Sequence, residues 1–266
     1  MHRPLTFLLD QLDRGMFDGT DVLAWGAPVP VFGDIDSARL VTLGINPSSR
    51  EFVDETGREL ADAARRFPTL HSLGLHRWAD ADFTHIRSIE RACRAYFTGN
   101  PYDGWFRRLD QVISGTSSPF YAPMFPACHL DLVPYATSRR WGTLSRADRD
   151  RLLEVGMQIL GELLAESPAR VLILNGKTVV EQFQRAAGIK LEPREMAEWE
   201  LPRSEGPPVR GIAYEGWAFE VAGRPLGRGV RLLGYNHNIQ SSFGVTTEVI
   251  RSIRAWIAQE ACNLLP

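Results

Sequence analysis

Four short polar runs interrupt the apolar segments of this chain, and each could do chemistry. Gly44-Ile45-Asn46-Pro47-Ser48 follows the apolar run "ARLVTL", so an amide and a tight turn stand where a buried segment stops. Asp131 sits between Leu130 and Leu132 in "ACHLDLV". A carboxylate in such a setting is rare unless it is paired or functional. Asn175-Gly176-Lys177-Thr178 ends the run "ARVLILN" and resembles the close of a phosphate loop. That loop requires a glycine where Val171 stands, so a nucleoside-triphosphate site is not expected, although a helix beginning at Gly176 can hold one phosphate. His237 follows "VRLLGYN", lies between Asn236 and Asn238, and precedes Ser241 and Ser242. Taken singly, each run also reads as turn or cap chemistry. Their combination points to one site.

The elements that must position these runs follow from apolar periodicity. A helix is expected over residues 4–16 and the first strand over 38–45. A helical stretch follows, roughly 57–67, 82–97 and 103–114, and then a second strand at 127–133. Ser145 with Asp148 resembles a capping box and opens a helix to about residue 166. The third strand is 169–175, with a helix opening at Gly176-Lys177-Thr178. Residues 188–212, rich in Pro, Gly and Glu, read as a loop or insertion. Two late strands, 217–223 and 230–236, precede a final helix capped by Thr246 or Thr247. Strands alternating with helices imply crossover connections. The expected fold class is α/β, a single three-layer α/β/α domain over residues 1–266 with a mainly parallel central sheet of about four strands. In such sheets ligands bind beyond the carboxyl ends of the strands, where all four polar runs fall.

Composition narrows the function classes. With 266 residues, 44% of them apolar, and a net charge of -2, the chain is that of an ordinary globular domain. No apolar run approaches the ~18 residues of a membrane span, and "MHRPLTFLLDQLDRG" reads as an amphipathic helix and not a signal peptide. The three cysteines, Cys93, Cys128 and Cys262, form no CxxC pair. A zinc ribbon, a four-cysteine iron–sulfur cluster and a disulfide framework are disfavoured, no metal site is expected, and a reducing, cytoplasmic location fits. Of the 30 basic residues only Lys177 and Lys190 are lysine. The pI near 6.3 confines any nucleic-acid surface to a local patch. There is no Gly-x-Ser-x-Gly elbow, and no lysine lies near Asn46 or His237, so an acyl-transfer hydrolase and an imine-forming lyase are both disfavoured.

Gly44-Ile45-Asn46-Pro47-Ser48 resembles the first motif of the uracil-DNA glycosylase superfamily, most closely the mismatch and single-strand-selective branches, which read Gly-(Ile/Met)-Asn-Pro-Gly. That superfamily often ends in His-Pro-Ser-Pro-x-Ser. His237-Asn238-Ile239-Gln240-Ser241-Ser242 keeps the His and the closing Ser and lacks both prolines. The resemblance spans roughly residues 38–260 as an order of elements, but only about a dozen residues as motif. The cysteine content does not match the iron–sulfur branches.

The resemblance implies a uracil-DNA-glycosylase-like fold and an enzyme, without a cofactor, that acts as a monomer on single- or double-stranded DNA. A nucleotide is flipped out and its glycosidic bond hydrolysed, leaving an abasic site. Asn46 would orient the attacking water and His237 would donate a hydrogen bond to the departing base. Gly44, Ile45 and Pro47 would shape the pocket, with Tyr121 and Trp105 as aromatic reserves, and Phe52 would either stack on the base or pack in the core. Ser48, Lys177, Asn238, Ser241, Ser242, Arg139 and Arg140 are the candidate DNA contacts. Asp54 and Glu55 could assist the water or simply form a solvated loop. Asp131 departs from the pattern, because similar enzymes carry an Asn there to read uracil. An ionised Asp only accepts hydrogen bonds and suits an exocyclic amine. The implied substrate is then a cytosine whose bulky modification separates it from ordinary cytosine, as in phage DNA, and the implied role is antiviral defence. Repair of uracil or mismatches, and a non-catalytic nucleic-acid binder on the same fold, remain as alternatives.

Overall fold

The apolar run before Asn46 forms strand β1 (Leu40–Gly44), whose five residues are all buried. Successive residues of a strand face opposite ways, so β1 is covered on both sides. The structure, a computed structural model, describes every residue except Asn100, Ser204, Ser241–Phe243 and Pro266. Helix α1 (His2–Asp13) precedes β1. Three helices, α2 (Leu70–Leu73), α3 (Phe83–Arg94) and α4 (Asp103–Ile113), separate it from β2 (Cys128–Asp131). Then come α5 (Arg146–Glu166), β3 (Val171–Asn175), α6 (Lys177–Ala187), three successive strands β4 (Glu192–Leu201), β5 (Val209–Val221) and β6 (Arg224–Tyr235), and α7 (Thr247–Ala261).

The six strands form one sheet in the order β2-β1-β3-β6-β5-β4. The first four are parallel, while β5 runs antiparallel to both β6 and β4. The protein is thus α/β, with a mostly parallel mixed sheet flanked by helices. The buried apolar side chains form one cluster from Leu5 to Ala261. Helix α5 starts where Ser145 accepts a hydrogen bond from the Asp148 amide. It lies so close to the chain leaving β2 that a Cβ on Gly156 would come within 1.9 Å of the Leu132 carbonyl oxygen. This approach fixes the segment after β2, which carries Thr137 and Arg140. Among the described residues no helix is long and apolar enough to cross a membrane.

Two expectations are corrected. The sheet has six strands and not about four: both late strands join it, and residues 188–212 are not a loop, since β4 occupies Glu192–Leu201 and β5 already begins at Val209. Only Met196, Trp199 and Leu201 of β4 are buried, and the register shifts between Met196 and Leu201, so the alternation that would betray a strand is broken by a bulge. The charged residues between them suit an edge strand, which must not recruit another chain. The helix expected over 57–67 is replaced by turns. The Asp54 carboxylate accepts from the amides of Thr56 and Arg58, and Gly57 has a φ of +82°, so the local side chain outcompetes the helix for these donors.

Candidate active site at the strand exits

The chain leaves β1 toward β2 at one edge and leaves β3 toward β4 at the other, and this divergence opens a crevice at the carboxyl ends of the strands. A cleft of about 1120 Å³ occupies it. All four strand exits contribute: Gly44–Ser49, Asp131 with Thr137–Gly142, Asn175–Val179, and Asn236 with Asn238 and Gln240. A smaller hollow of about 680 Å³, lined by α5, α6 and the β5–β6 turn, shares no residue with the cleft.

Register sets the floor. Thr42 pairs with His129 and Gly44 with Asp131 across β1 and β2, and the two-residue period puts all four on one face. His129 Nδ1 lies 2.6 Å from Thr42 Oγ1, and its Nε2 lies 3.3 Å from Asp131 Oδ1. A Cβ on Gly44 would stand 2.3 Å from Asp131 Oδ1 and 2.9 Å from His129 Nε2. The glycine of the first motif is therefore required by its neighbour, since any side chain there would displace Asp131. The chain Thr42–His129–Asp131 is satisfied with the His129 Nε2 proton given to an ionised Asp131. It is equally satisfied with a proton on Asp131 Oδ1 given to Nε2 while Nδ1–H donates to Thr42. In both arrangements Asp131 Oδ2 is an acceptor on the cleft that no donor among the described residues reaches, and only a proton on Oδ2 itself would make it a donor.

Asn46 is equally constrained. Its Nδ2 donates to the carbonyl of Pro47 at 3.1 Å and to Thr137 Oγ1 at 3.1 Å, with the Tyr135 carbonyl at 3.4 Å. Thr137 spends its own proton on the Arg139 carbonyl, so it can only accept from Asn46. The network itself thus assigns nitrogen and oxygen. Asn46 Oδ1 accepts no bond among the described residues and is left as an acceptor on the cleft.

The aromatic residues of the cleft are Phe32, Tyr102, Trp105, Phe106 and Trp141. Trp105 meets the His129 ring edge-on, with centroids 5.1 Å apart. Among these residues stands Glu51, only 2% exposed yet on the cleft. The Tyr96 hydroxyl donates to its two oxygens at 2.8 and 2.9 Å. Burial pushes its carboxyl up to about 8, against the opposing influence of Tyr96 and Arg66.

The rim is cationic. Arg139 is engaged by Asp21 through two bonds of 2.8 and 2.7 Å, which hold the Asp21 carboxyl below its usual range. Lys177 lies 3.6 Å from Glu181 one helical turn on. Arg140 and Arg149 make no ion pair among the described residues and line the same cleft.

The strand exits bring together Gly44, Ile45, Asn46, Pro47, Ser48, Asp131, Lys177, Asn238, Arg139 and Arg140 from the sequence reading. Three other candidates lie elsewhere. Phe52 is buried in the core between Trp25 and Phe67, at centroid distances of 6.0 and 5.8 Å, so its position is that of a packing residue and not of a base-stacking one. His237 is buried, and its Nε2 donates to the Trp199 carbonyl of β4 at 2.5 Å; its side chain turns away from the cleft that it was expected to serve. Burial lowers its affinity for a proton. Tyr121 does not line the cleft: its hydroxyl donates to Asp103 at 2.6 Å and Arg107 lies over its ring at 4.0 Å. Ser241 and Ser242 lie outside the described residues.

Sequence reasoning missed Glu51, His129 and Arg149. His129 had a signal: "HLD" on a strand puts His129 and Asp131 on one face. Glu51 had none, since an acid in "SSREF" reads as exposed. No group of three or more potential metal ligands is assembled among the described residues. Neither a family model nor a curated protein sequence matches the chain.

Proposed function

We propose that the protein is a DNA glycosylase of the uracil-DNA-glycosylase type, which flips a pyrimidine nucleotide into the cleft and hydrolyses its N-glycosidic bond. The observation that carries the reading is the convergence of Asn46 Oδ1 and Asp131 Oδ2, two bare acceptors on adjacent strand exits, in one aromatic-walled cleft with a cationic rim. An extruded base needs flat apolar walls and a few polar contacts, and its backbone needs cations. Asn46 Oδ1 accepts from the attacking water and aims it at the sugar. Asp131 Oδ2 accepts from the base. With His129 Nε2–H bonded to Oδ1, an ionised Asp131 presents Oδ2 as a pure acceptor, and this favours a base with an exocyclic amine. A modified cytosine of foreign DNA is the substrate class this suits, and defence against phage is the corresponding role. His237 has no part in the chemistry.

The test is base release from single- and double-stranded oligonucleotides carrying uracil, 5-hydroxymethylcytosine or its glucosylated form, read as strand scission after alkali. The expected result is release from a modified-cytosine strand that falls by roughly 10²-fold in Asn46→Ala. Release from uracil alone would overturn the assignment of the base. The withdrawal of His237 from the cleft favours a second reading, a non-catalytic nucleic-acid binder, which predicts binding to these strands with no release.

A further inference from the structure

Glu51 is a buried acid on the cleft for which the hydrolysis described so far has no use. It stands on the short helical turn Ser49–Glu51, which Ser48 joins to Asn46-Pro47, so the same loop carries the water-positioning amide and this carboxyl. Its surroundings hold it in place. Tyr96 donates to it and in turn accepts from the Tyr102 amide at 2.8 Å. Arg66 approaches Oε2 at 4.0 Å and is itself bonded to the Arg50 carbonyl at 2.7 Å. Asp131, itself 3.3 Å from His129 Nε2, bears on it electrostatically from β2.

We infer that Glu51 is a catalytic residue, the proton donor to the departing base; the inference rests on the glycosylase reading. When the bond between C1′ of the sugar and N1 of the pyrimidine breaks, its electron pair goes to the base. The carboxyl proton of Glu51 passes to the base, leaving a carboxylate. The water held by Asn46 adds its oxygen to C1′ and releases a proton, which the Glu51 carboxylate takes up. The products are the free base and the sugar hydroxyl, and the acid is restored. A proton donor must be protonated at the working pH, and both burial and the negative charge of Asp131 favour that form in Glu51. Two carboxyls on one cleft thus divide the work: Asp131 accepts from the base and Glu51 donates to it.

The experiment measures single-turnover base release across pH 5–10 for the wild type, Glu51→Gln and Tyr96→Phe, on the same three modified strands. The wild-type rate should fall as pH rises through about 8. Glu51→Gln should lower the plateau by roughly 10²–10⁴-fold and abolish the alkaline limb. Tyr96→Phe removes a hydroxyl that favours the charged carboxylate, so it should move the limb to higher pH. A merely structural Glu51 would not produce that shift, and Tyr96→Phe decides the matter if Glu51→Gln does not fold. Wild-type-like release by Glu51→Gln, or a limb that stays put in Tyr96→Phe, would overturn the role of Glu51 and leave the glycosylase standing. No release by the wild type from any strand would overturn the glycosylase reading, and the role of Glu51 with it.

Discussion

The two halves of the sheet solve different problems. In the parallel half, β1, β2 and β3 are only 5, 4 and 5 residues long and almost wholly buried. Their chain leaves at the carboxyl end, so the residues with unspent hydrogen-bonding atoms stand just past the last buried position. The other half is antiparallel, built from β4, β5 and the long β6 that joins it to β3; these strands run to 10, 13 and 12 residues and are exposed over much of their length, with Phe219 at 67% exposure on β5. It offers the cleft nothing from β4 or β5. Its contribution is mechanical. Trp199 of β4 is fully buried, stacks edge-on to Trp256 of α7 at 5.2 Å, and supplies the carbonyl that captures His237. A histidine at the exit of a parallel strand has thereby become a strut between the halves. Position along the sequence brought His237 to the right place on the sheet, and a partner strand decided where its ring points.

The largest expected effect tests that mechanical role. Trp199→Ala removes a fully buried ring and its hydrogen bond to Ser252. Losses of this kind run to about 3–5 kcal/mol. Denaturant unfolding should register it, and a loss under ~1 kcal/mol would mean that the hairpin is an appendage rather than a support. Next comes the floor of the cleft. Gly44→Ala forces a Cβ to within 2.3 Å of Asp131 Oδ1. Overpacking of this sort costs about 1–3 kcal/mol, and the displaced carboxylate should lower base release by roughly 10²-fold. Unchanged release in a folded Gly44→Ala would detach Asp131 from substrate binding.

His237→Ala sharpens the contrast between strut and catalyst. Losing a buried hydrogen bond should cost about 1–3 kcal/mol while base release in the folded protein persists. The sign with pH follows from the lowered proton affinity of His237. A histidine that resists protonation only when folded contributes stability above its ordinary value of 6.5, and that contribution is lost as pH falls below it. The stability gap between wild type and His237→Ala should therefore narrow on acidification. Abolished release with an intact fold would return His237 to the reaction.

Legibility followed the same division. The exits of β1, β2 and β3 could be read because short apolar runs ending in Gly, Asp or Asn are conspicuous. On that ground Gly44 and Asn46 are expected at the end of β1, where they stand. What the sequence concealed depended on partners that no local pattern names. β4 is charged and bulged, so its alternation fails, and with β4 unseen the fate of His237 could not be inferred. Glu51 is buried against partners far along the chain, Tyr96 and Arg66 among them. The requirement for glycine at position 44 comes from Asp131 on the neighbouring strand, and not from the turn chemistry that first drew attention to it.

The smallest effect separates the halves by charge. Arg140 lies on the cleft rim without an ion pair among the described residues, whereas Arg210 on β5 is an exposed arginine paired with Glu195 at 2.6 Å. Replacing either by alanine removes one positive charge, so a protein that attracts DNA through its net charge would respond alike to both. A phosphate held at the rim behaves differently. Each phosphate neutralised on single-stranded DNA releases counterions and contributes about 0.7 to the slope of log K against log salt, or about 0.9 on a duplex. Arg140→Ala should reduce that slope by about one such unit and weaken binding several-fold at low salt. Arg210→Ala should leave both unchanged, because its charge is already balanced by Glu195. Titrations of fluorescent single-stranded DNA at several salt concentrations measure the two slopes side by side. Equal slopes for the two variants would remove the rim from DNA recognition, and with it the reason for locating binding in the parallel half.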